Sequence, residues 1–66
     1  MLFMEALKEL ENRKYVARTT WKDDSKCLMY VPGFTSIIMM SPKPTPNIQN
    51  WLPLIVDFEA DDWELV

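Results

Sequence analysis

Apolar positions in the first part of the chain recur at helical spacing. Phe3, Leu7 and Leu10 follow one another at i, i+4 and i+7, and charged side chains fill the positions between them. The pattern predicts an amphipathic helix over residues 3–12. Asn12 is its predicted C-terminal cap, because asparagine tolerates the left-handed backbone that often ends a helix.

The pattern then changes to a period of two over residues 14–22, where tyrosine, valine, threonine and tryptophan favour a β-strand. Alternation divides this strand into two faces, Tyr15, Ala17, Thr19 and Trp21 on one, and Val16, Arg18, Thr20 and Lys22 on the other. A polar turn is predicted at residues 23–25. Residues 26–31 are then predicted to form a second strand, antiparallel to the first.

Residues 34–40 are apolar at nearly every position, which predicts a third strand that is central in the sheet or lies at an interface. The proline-rich residues 41–46 are predicted to form a surface loop with polyproline character. A connector and a ligand for a proline-binding domain are both compatible with that loop.

The C-terminal part of the chain is predicted to close the fold. Residues 50–56 are predicted to be extended at a sheet edge, since Pro53 cannot donate a ladder hydrogen bond. Residues 57–62 are predicted to form a helical turn, and residues 63–66 a short last strand. The predicted fold class is therefore α+β: one N-terminal helix packed on a small antiparallel sheet, in a single domain over residues 1–66.

Composition favours self-association of this domain. A chain of 66 residues buries a limited fraction of its surface, and its apolar fraction is 48%, including five methionines. Cys27 is the only cysteine and histidine is absent, so neither an internal disulfide nor a common metal site is expected. We expect a homo-oligomer, dimer or tetramer, without a cofactor and in a reducing, cytoplasmic setting.

The formal net charge of −3 argues against long nucleic acid as a partner. No apolar run approaches the length that a membrane span needs. The charges are nevertheless segregated into a basic group of Arg13, Lys14, Arg18, Lys22 and Lys26 and an acidic group of Asp57, Glu59, Asp61, Asp62 and Glu64. Two interpretations stay open: the groups pair with each other across the fold, or the basic group holds a small anion.

Catalytic residue sets are hard to assemble from this sequence. Without histidine there is no imidazole base. Cys27 lies in the middle of a predicted strand, where an inert buried thiol is expected. A small hydrolase that uses Asp61 and Asp62 would need a metal ion. The acidic cluster lacks the pattern of a calcium loop, so a solvated surface is the better interpretation.

Binding chemistry is easier to find. Arg18, Thr20, Trp21 and Lys22 combine an aromatic ring with cations within one predicted strand. A nucleotide base stacks on such a ring and its phosphate pairs with such cations. Alternatively, Trp21 belongs to the core. A different hypothesis is a protein-interaction module that inhibits a host or phage protein through the apolar strand of residues 34–40 and the proline loop.

Four segments of this chain resemble segments of the Thoeris anti-defence two-like family, which phages and bacteria encode, and they occur in the same order. The opening helix matches its Phe-Gly-Glu-Ala-Leu start, with Met4 in place of glycine, and Val-Ala-Arg-Thr-Thr-Trp matches its Val-Ala-Arg-x-x-Trp motif. Tyr-Val-Pro-Gly resembles a strand that ends in Val-Pro-Gly. Residues 51–66 are similar to its closing Trp-Leu, Asp and Ala-Glu-Asp-Trp-Glu, so the resemblance spans nearly the whole chain.

The resemblance implies a viral sponge rather than an enzyme. Members of this family oligomerise and sequester cyclic nucleotide immune signals, which include cyclic ADP-ribose isomers and cyclic oligonucleotides, inside the infected bacterium. We therefore expect Arg18 and Lys22 near phosphate, Trp21 on a base, and Asn50 and Trp51 at the pocket rim. The remaining C-terminal residues are expected to be structural: Asp57 and Asp62 hold the turn, and Trp63 packs in the core.

Overall fold

The computed structural model of the chain describes residues 1–31, 33, 36–42 and 47–66. In chain order the described elements are α1 (Phe3–Glu11), β1 (Val16–Arg18), a 3-10 helix (Thr19–Asp24), β2 (Cys27–Met29), β3 (Ile38–Ser41), β4 (Asn47–Asn50), α2 (Ile55–Glu59) and β5 (Trp63–Leu65). This is a small α+β fold with an N-terminal helix and a five-stranded sheet. The predicted α+β class, with one N-terminal helix on a small antiparallel sheet, is confirmed.

Every strand pair in the sheet is antiparallel, and the strand order is β4-β3-β2-β1-β5. The last strand thus lies beside the first, which brings the two ends of the sequence together. In that pairing Arg18 lies opposite Trp63 and Ala17 lies opposite Glu64. Since side chains alternate between faces, Arg18 and Trp63 share one face of the sheet and Ala17 and Glu64 share the other.

Helix α1 covers the first of these faces, on which it buries Ala6 and Leu10. Asn12 is the C-terminal cap, as predicted, but its backbone is not left-handed, at φ −86°. The residue with left-handed backbone is Arg13, at φ 66°, and the Lys14 N–H donates to the Glu9 carbonyl oxygen at 3.1 Å. These contacts form a Schellman motif in which arginine occupies the position usually given to glycine.

Trp63 lies at the centre of the core between α1 and the sheet and is 1% exposed. Its ring centroid is 5.4 Å from those of Phe3 and Trp21 and 5.9 Å from that of Trp51. The indole Nε1–H donates to the Asp57 backbone oxygen at 2.9 Å. The predicted core position of Trp63 is therefore confirmed.

The predicted strand over residues 14–22 is wrong beyond Arg18, where the chain turns into the 3-10 helix. Thr19 starts this turn: its N–H donates to the Asp62 backbone oxygen at 3.2 Å and its hydroxyl to Asp62 Oδ2 at 2.8 Å. Because three residues complete each turn of such a helix, the alternation of a strand is lost. Ala17 and Trp21 consequently do not share a face, and Trp21 packs against Trp63.

Strand β4 was not predicted, because its sequence Asn-Ile-Gln-Asn lacks apolar alternation. It is an edge strand paired with β3, which itself lies between β2 and β4 as an inner strand. The third strand predicted over residues 34–40 is observed as Ile38–Ser41. Residues 34 and 35, and the proline loop at positions 43–46, lie outside the described residues.

The helical turn predicted over residues 57–62 begins two residues earlier than expected, as α2, and ends at Glu59. The extended segment predicted over residues 50–56 therefore ends before Ile55. A carboxylate explains the shift: Asp57 Oδ2 accepts the Leu54 N–H at 2.8 Å, which satisfies an N–H group at the helix start. The predicted strands over residues 26–31 and 63–66 are confirmed as the shorter β2 and β5.

Replacing Trp63 with phenylalanine tests the role of the buried indole. The Trp63→Phe variant keeps an aromatic ring but leaves the Asp57 carbonyl without its N–H donor and opens a small cavity. We expect the free energy of unfolding to fall by about 2–4 kcal/mol in urea titrations followed by circular dichroism. Trp21→Phe is the matched control, since it makes the same change at a half-buried ring and leaves that hydrogen bond in place. Equal losses in the two variants would contradict the role assigned to Trp63.

Candidate functional site

The Arg18 side chain joins the sheet to the C-terminal segment through two carboxylates. Its Nε donates to Asp62 Oδ1 at 2.8 Å and its Nη1 to Asp57 Oδ1 at 3.2 Å. The three side chains are largely shielded, at 19% exposure for Arg18, 11% for Asp57 and 26% for Asp62. We call this group the Arg18 clamp.

Each member of the Arg18 clamp is positioned by its own element. Arg18 is the last residue of β1, and Asp57 lies in the first turn of α2, where it also caps the helix. Asp62 immediately precedes β5 and accepts the Thr19 hydroxyl. The clamp therefore fixes α2 and β5 relative to β1, which confirms the predicted structural role of Asp57 and Asp62.

Contacts within the clamp shift the pKa values of Arg18 and Asp62. The hydrogen bond from Arg18 and then the one from Thr19 lower the pKa of Asp62 below its usual range. The hydrogen bond to Asp62, against some desolvation, raises the pKa of Arg18. Both shifts favour the ion pair over its neutral form.

A cleft of about 410 Å³ lies on the other face of the sheet, beside the 3-10 helix. Its described lining residues are Ala17, Lys22, Ser25, Lys26, Glu64, Leu65 and Val66. We call it the lysine cleft. Lys22 Nζ is 3.4 Å from Glu64 Oε1, and Lys26 Nζ is 3.7 Å from Asp24 Oδ2. Two ammonium groups beside a serine hydroxyl suit an anionic ligand such as a phosphate ester.

A larger cavity of about 490 Å³ lies between α1 and the strands β2 and β3. Its described lining residues are Leu7, Leu10, Glu11, Tyr30, Ser36 and Ile37. This lining is mainly apolar and its charged member is a glutamate, so the lysine cleft is the better match for an anion.

The predicted ligand residues of the first strand occupy different surroundings. Arg18 belongs to the clamp, where two of its nitrogens already bind carboxylates. Trp21 is half-buried and packs edge-on against Trp63. Thr20 is exposed, and Lys22 lines the lysine cleft with a side chain that is 69% exposed.

The two remaining predicted ligand residues lie at the end of β4. Asn50 is exposed, and its Oδ1 accepts the Ser36 hydroxyl at 3.1 Å. Trp51 is 8% exposed, and its N–H donates to the Ile37 carbonyl oxygen at 2.8 Å. Strands β2 and β3 separate β4, which ends at Asn50, from β1, which leads into the 3-10 helix of Lys22. Trp51, Trp21 and Arg18 converge instead around Trp63.

The interpretation in which the basic and acidic groups pair across the fold is borne out by the Arg18 clamp and by the contact of Lys22 with Glu64. Sequence reasoning did not single out Ser25, Lys26 and Glu64 as lining one cleft with Lys22. The sequence did contain part of the evidence for this cleft, because Lys22 and Lys26 flank the polar turn predicted at residues 23–25. The contribution of Glu64 depends on the β1–β5 register, which the sequence does not encode locally.

Within residues 1–31, 33, 36–42 and 47–66, no cluster of three or more cysteine or acidic side chains is arranged to hold a metal ion. In the same residues, no helix has the length and apolarity to cross a membrane. Asp62, which the hydrolase hypothesis uses as a metal ligand, already accepts hydrogen bonds at both of its carboxylate oxygens. Cys27 is buried, and burial raises the pKa of its thiol.

The family model of the Thoeris anti-defense 2-like domain matches residues 1–66, the whole chain. The chain belongs to this family, and the resemblance seen in its sequence motifs is confirmed. No curated protein and no solved structure matches it. Membership indicates a role in counteracting the Thoeris defence system.

The lowered pKa of Asp62 predicts a specific pH dependence of stability. The clamp stabilises the fold fully above the ordinary aspartate pKa of about 4, and this contribution is lost as pH falls through the lowered folded pKa. The Asp62→Asn variant lacks the titrating group. We expect it to be less stable than the wild type at pH 7, with the gap in unfolding free energy narrowing below about pH 4.

The matched control for that measurement is Asp61→Asn, which changes an exposed neighbouring carboxylate outside the Arg18 clamp. Its stability should follow the wild type across the same pH series. A gap between wild type and Asp62→Asn that is constant from pH 7 to pH 2 would contradict the assigned cause of the pKa shift.

Proposed function

We propose that this protein binds a cyclic nucleotide immune signal and sequesters it without cleavage, so that bacterial immune signalling is blocked in the infected cell. Candidate ligands are cyclic ADP-ribose isomers and cyclic oligonucleotides. The observation that carries the proposal is the family match over the whole chain. The family name indicates anti-defence activity, and stoichiometric capture of the signal is one direct means to that end.

The lysine cleft supports an anionic ligand of this size. Its volume of about 410 Å³ falls within the usual range for small-molecule sites. Lys22 and Lys26 are proposed to meet the phosphates, with the Ser25 hydroxyl as a further donor. The contact of Lys22 with Glu64 is partly exposed and therefore worth little, so a phosphate can replace it at small cost.

The remaining predicted ligand residues are assigned supporting roles in this proposal. Thr20 and the exposed part of Trp21 adjoin Lys22 in the 3-10 helix and are proposed to contact the base or ribose. Arg18 is proposed to act mainly by holding the clamp. Its replacement is a poor test of binding, since it would leave Asp57 and Asp62 shielded without a counterion. Asn50 and Trp51 stay candidates for a rim formed with another subunit.

Sequestration requires tight binding and no acid–base machinery, which agrees with the side chains available. The chain contains no histidine. Asp62, one of the two carboxylates that the hydrolase hypothesis uses, is bound to the Arg18 guanidinium. The chemistry of the described residues thus favours a binding protein.

The direct test is to mix the protein with each candidate signal, remove unbound ligand by filtration and denature the complex by heat. Mass spectrometry should recover the captured ligand intact and in stoichiometric amount. Recovery of a cleaved product would indicate an enzyme. Failure of the protein to retain any cyclic nucleotide would contradict sequestration.

A second test locates the ligand in the lysine cleft. Lys22→Gln and Lys26→Gln each remove one ammonium group from the cleft without touching the core. We expect each to raise the ligand dissociation constant by about tenfold or more in calorimetric titrations. Lys8→Gln, on the exposed face of α1, is the control and should bind like the wild type. Wild-type affinity in both cleft variants would place the ligand elsewhere.

A further inference from the structure

A small apolar pocket adjoins the lysine cleft on the same face of the sheet. Its volume is about 230 Å³, and its described lining residues are Ser25, Cys27, Met40, Ser41, Pro42, Asn47 and Ile48. We call it the methionine pocket. Ser25 also lines the lysine cleft, so the two pockets are neighbours. Their volumes taken together stay within the usual range for small-molecule sites.

The strand register explains why the two pockets share a face. Three side chains of the methionine pocket lie in one row across β2, β3 and β4: Cys27, Met40 and Ile48. Leu28 pairs with Val16 in the core on the α1 face, so the neighbouring Cys27 projects from the other face. Ala17 and Glu64 of the lysine cleft lie on that other face as well.

The two pockets differ in charge. Lys22, Lys26 and Glu64 line the lysine cleft, whereas the described lining residues of the methionine pocket are uncharged types. Burial raises the pKa of the Cys27 thiol, which favours its uncharged form. A nucleotide has the same division, with an anionic phosphate at one end and an uncharged planar base at the other.

The side chains of the methionine pocket suit such a base. Met40 carries a polarisable thioether, which adapts its shape and makes favourable contacts with aromatic rings. Ile48 is 67% exposed, and a base that lies over it would remove apolar surface from water. The Asn47 amide and the Ser41 hydroxyl can both donate and accept hydrogen bonds, so they can match the polar edge of a purine.

Ser25 forms the turn between the two pockets. It caps the 3-10 helix with left-handed backbone, at φ 53° and ψ 29°, and its N–H donates to the Lys22 carbonyl oxygen at 3.1 Å. This conformation is uncommon for a residue other than glycine and often occurs at functional sites. The turn connects Lys22 on one side to Lys26 and Cys27 on the other. A ligand that occupies both pockets would therefore contact one short backbone segment.

We propose that the methionine pocket holds the base of a nucleotide whose phosphate lies in the lysine cleft. The inference rests on the proposed function for the position of the phosphate and adds the site of the base. Apolar contact with Met40 and Ile48 supplies the affinity for the base. The ribose, rather than the base, is then the proposed contact of Thr20 and Trp21.

The test compares adenosine 5′-monophosphate with ribose 5-phosphate, which lacks the base, by NMR of the full chain with labelled methionine methyl groups and backbone amides. Each compound is added to about 10 mM, because a single nucleotide is expected to bind in the millimolar range. Adenosine 5′-monophosphate should shift the Met40 methyl signal, through the ring current of its base, and the Lys22 and Lys26 amide signals. Ribose 5-phosphate should shift the two lysine amides alone. The Met4 methyl, on an exposed side chain of α1, should respond to neither compound.

The Ile48→Ala variant tests the apolar contact. We expect its dissociation constant for adenosine 5′-monophosphate to rise about fivefold or more, and that for ribose 5-phosphate to stay unchanged. Ile55→Ala is the matched control, since it makes the same change on α2 at a residue of similar exposure, 74% against 67%. It should bind both compounds like the wild type. Equal weakening of both compounds by Ile48→Ala would contradict a contact with the base.

A Met40 methyl signal that does not move at the highest nucleotide concentration would overturn the proposal. A Met40 signal that follows protein concentration instead of nucleotide would also overturn it, because a second copy of the chain would then cover the pocket. The filtration test judges sequestration separately. A protein that retains a cyclic signal intact without a Met40 response keeps the proposed function and loses this inference, and the reverse result does the opposite.

Discussion

The ion pair of Arg18 with Asp57 and Asp62 is the contact on which the C-terminal third of this protein depends. It joins residues that are 39 and 44 positions apart in the chain. A shielded guanidinium loses hydration when the chain folds, and the two carboxylates offset that loss by accepting its hydrogen bonds. Beside the clamp, Trp63 lies in the core, where its indole N–H donates to the Asp57 carbonyl oxygen. The clamp thus couples electrostatic pairing to aromatic packing.

The clamp also determines which charged side chains remain available at the surface. By pairing the charge of Asp57 with Arg18, it leaves apolar side chains as most of the exposed part of α2. By occupying Arg18, it leaves Lys22 and Lys26 as the cations proposed for an anionic ligand. Arg18 was predicted from the sequence to contact a ligand. In the structure it pairs with Asp57 and Asp62 and holds α2 and β5 in place.

Local patterns predicted those parts of the fold that are set by neighbouring residues. The helical spacing of Phe3, Leu7 and Leu10 predicted α1, and β-forming residues predicted β2 and β5. The errors occur where distant contacts decide the backbone. Thr19 leaves the strand because it bonds to Asp62, and β4 exists because it pairs with β3. For the site, the sequence indicated the basic residues but not their partners, since the register that places Glu64 in the lysine cleft depends on strand pairing across the whole chain.

The most direct test of the clamp is a double-mutant cycle between Arg18 and Asp62. The unfolding free energies of Arg18→Met, Asp62→Asn and the double variant would be compared with that of the wild type in urea at pH 7. If the ion pair holds the C-terminal segment, the loss in the double variant should be smaller than the sum of the single losses by at least about 1 kcal/mol. Losses that simply add would show that the two side chains stabilise the fold independently, and would contradict the central role of the clamp.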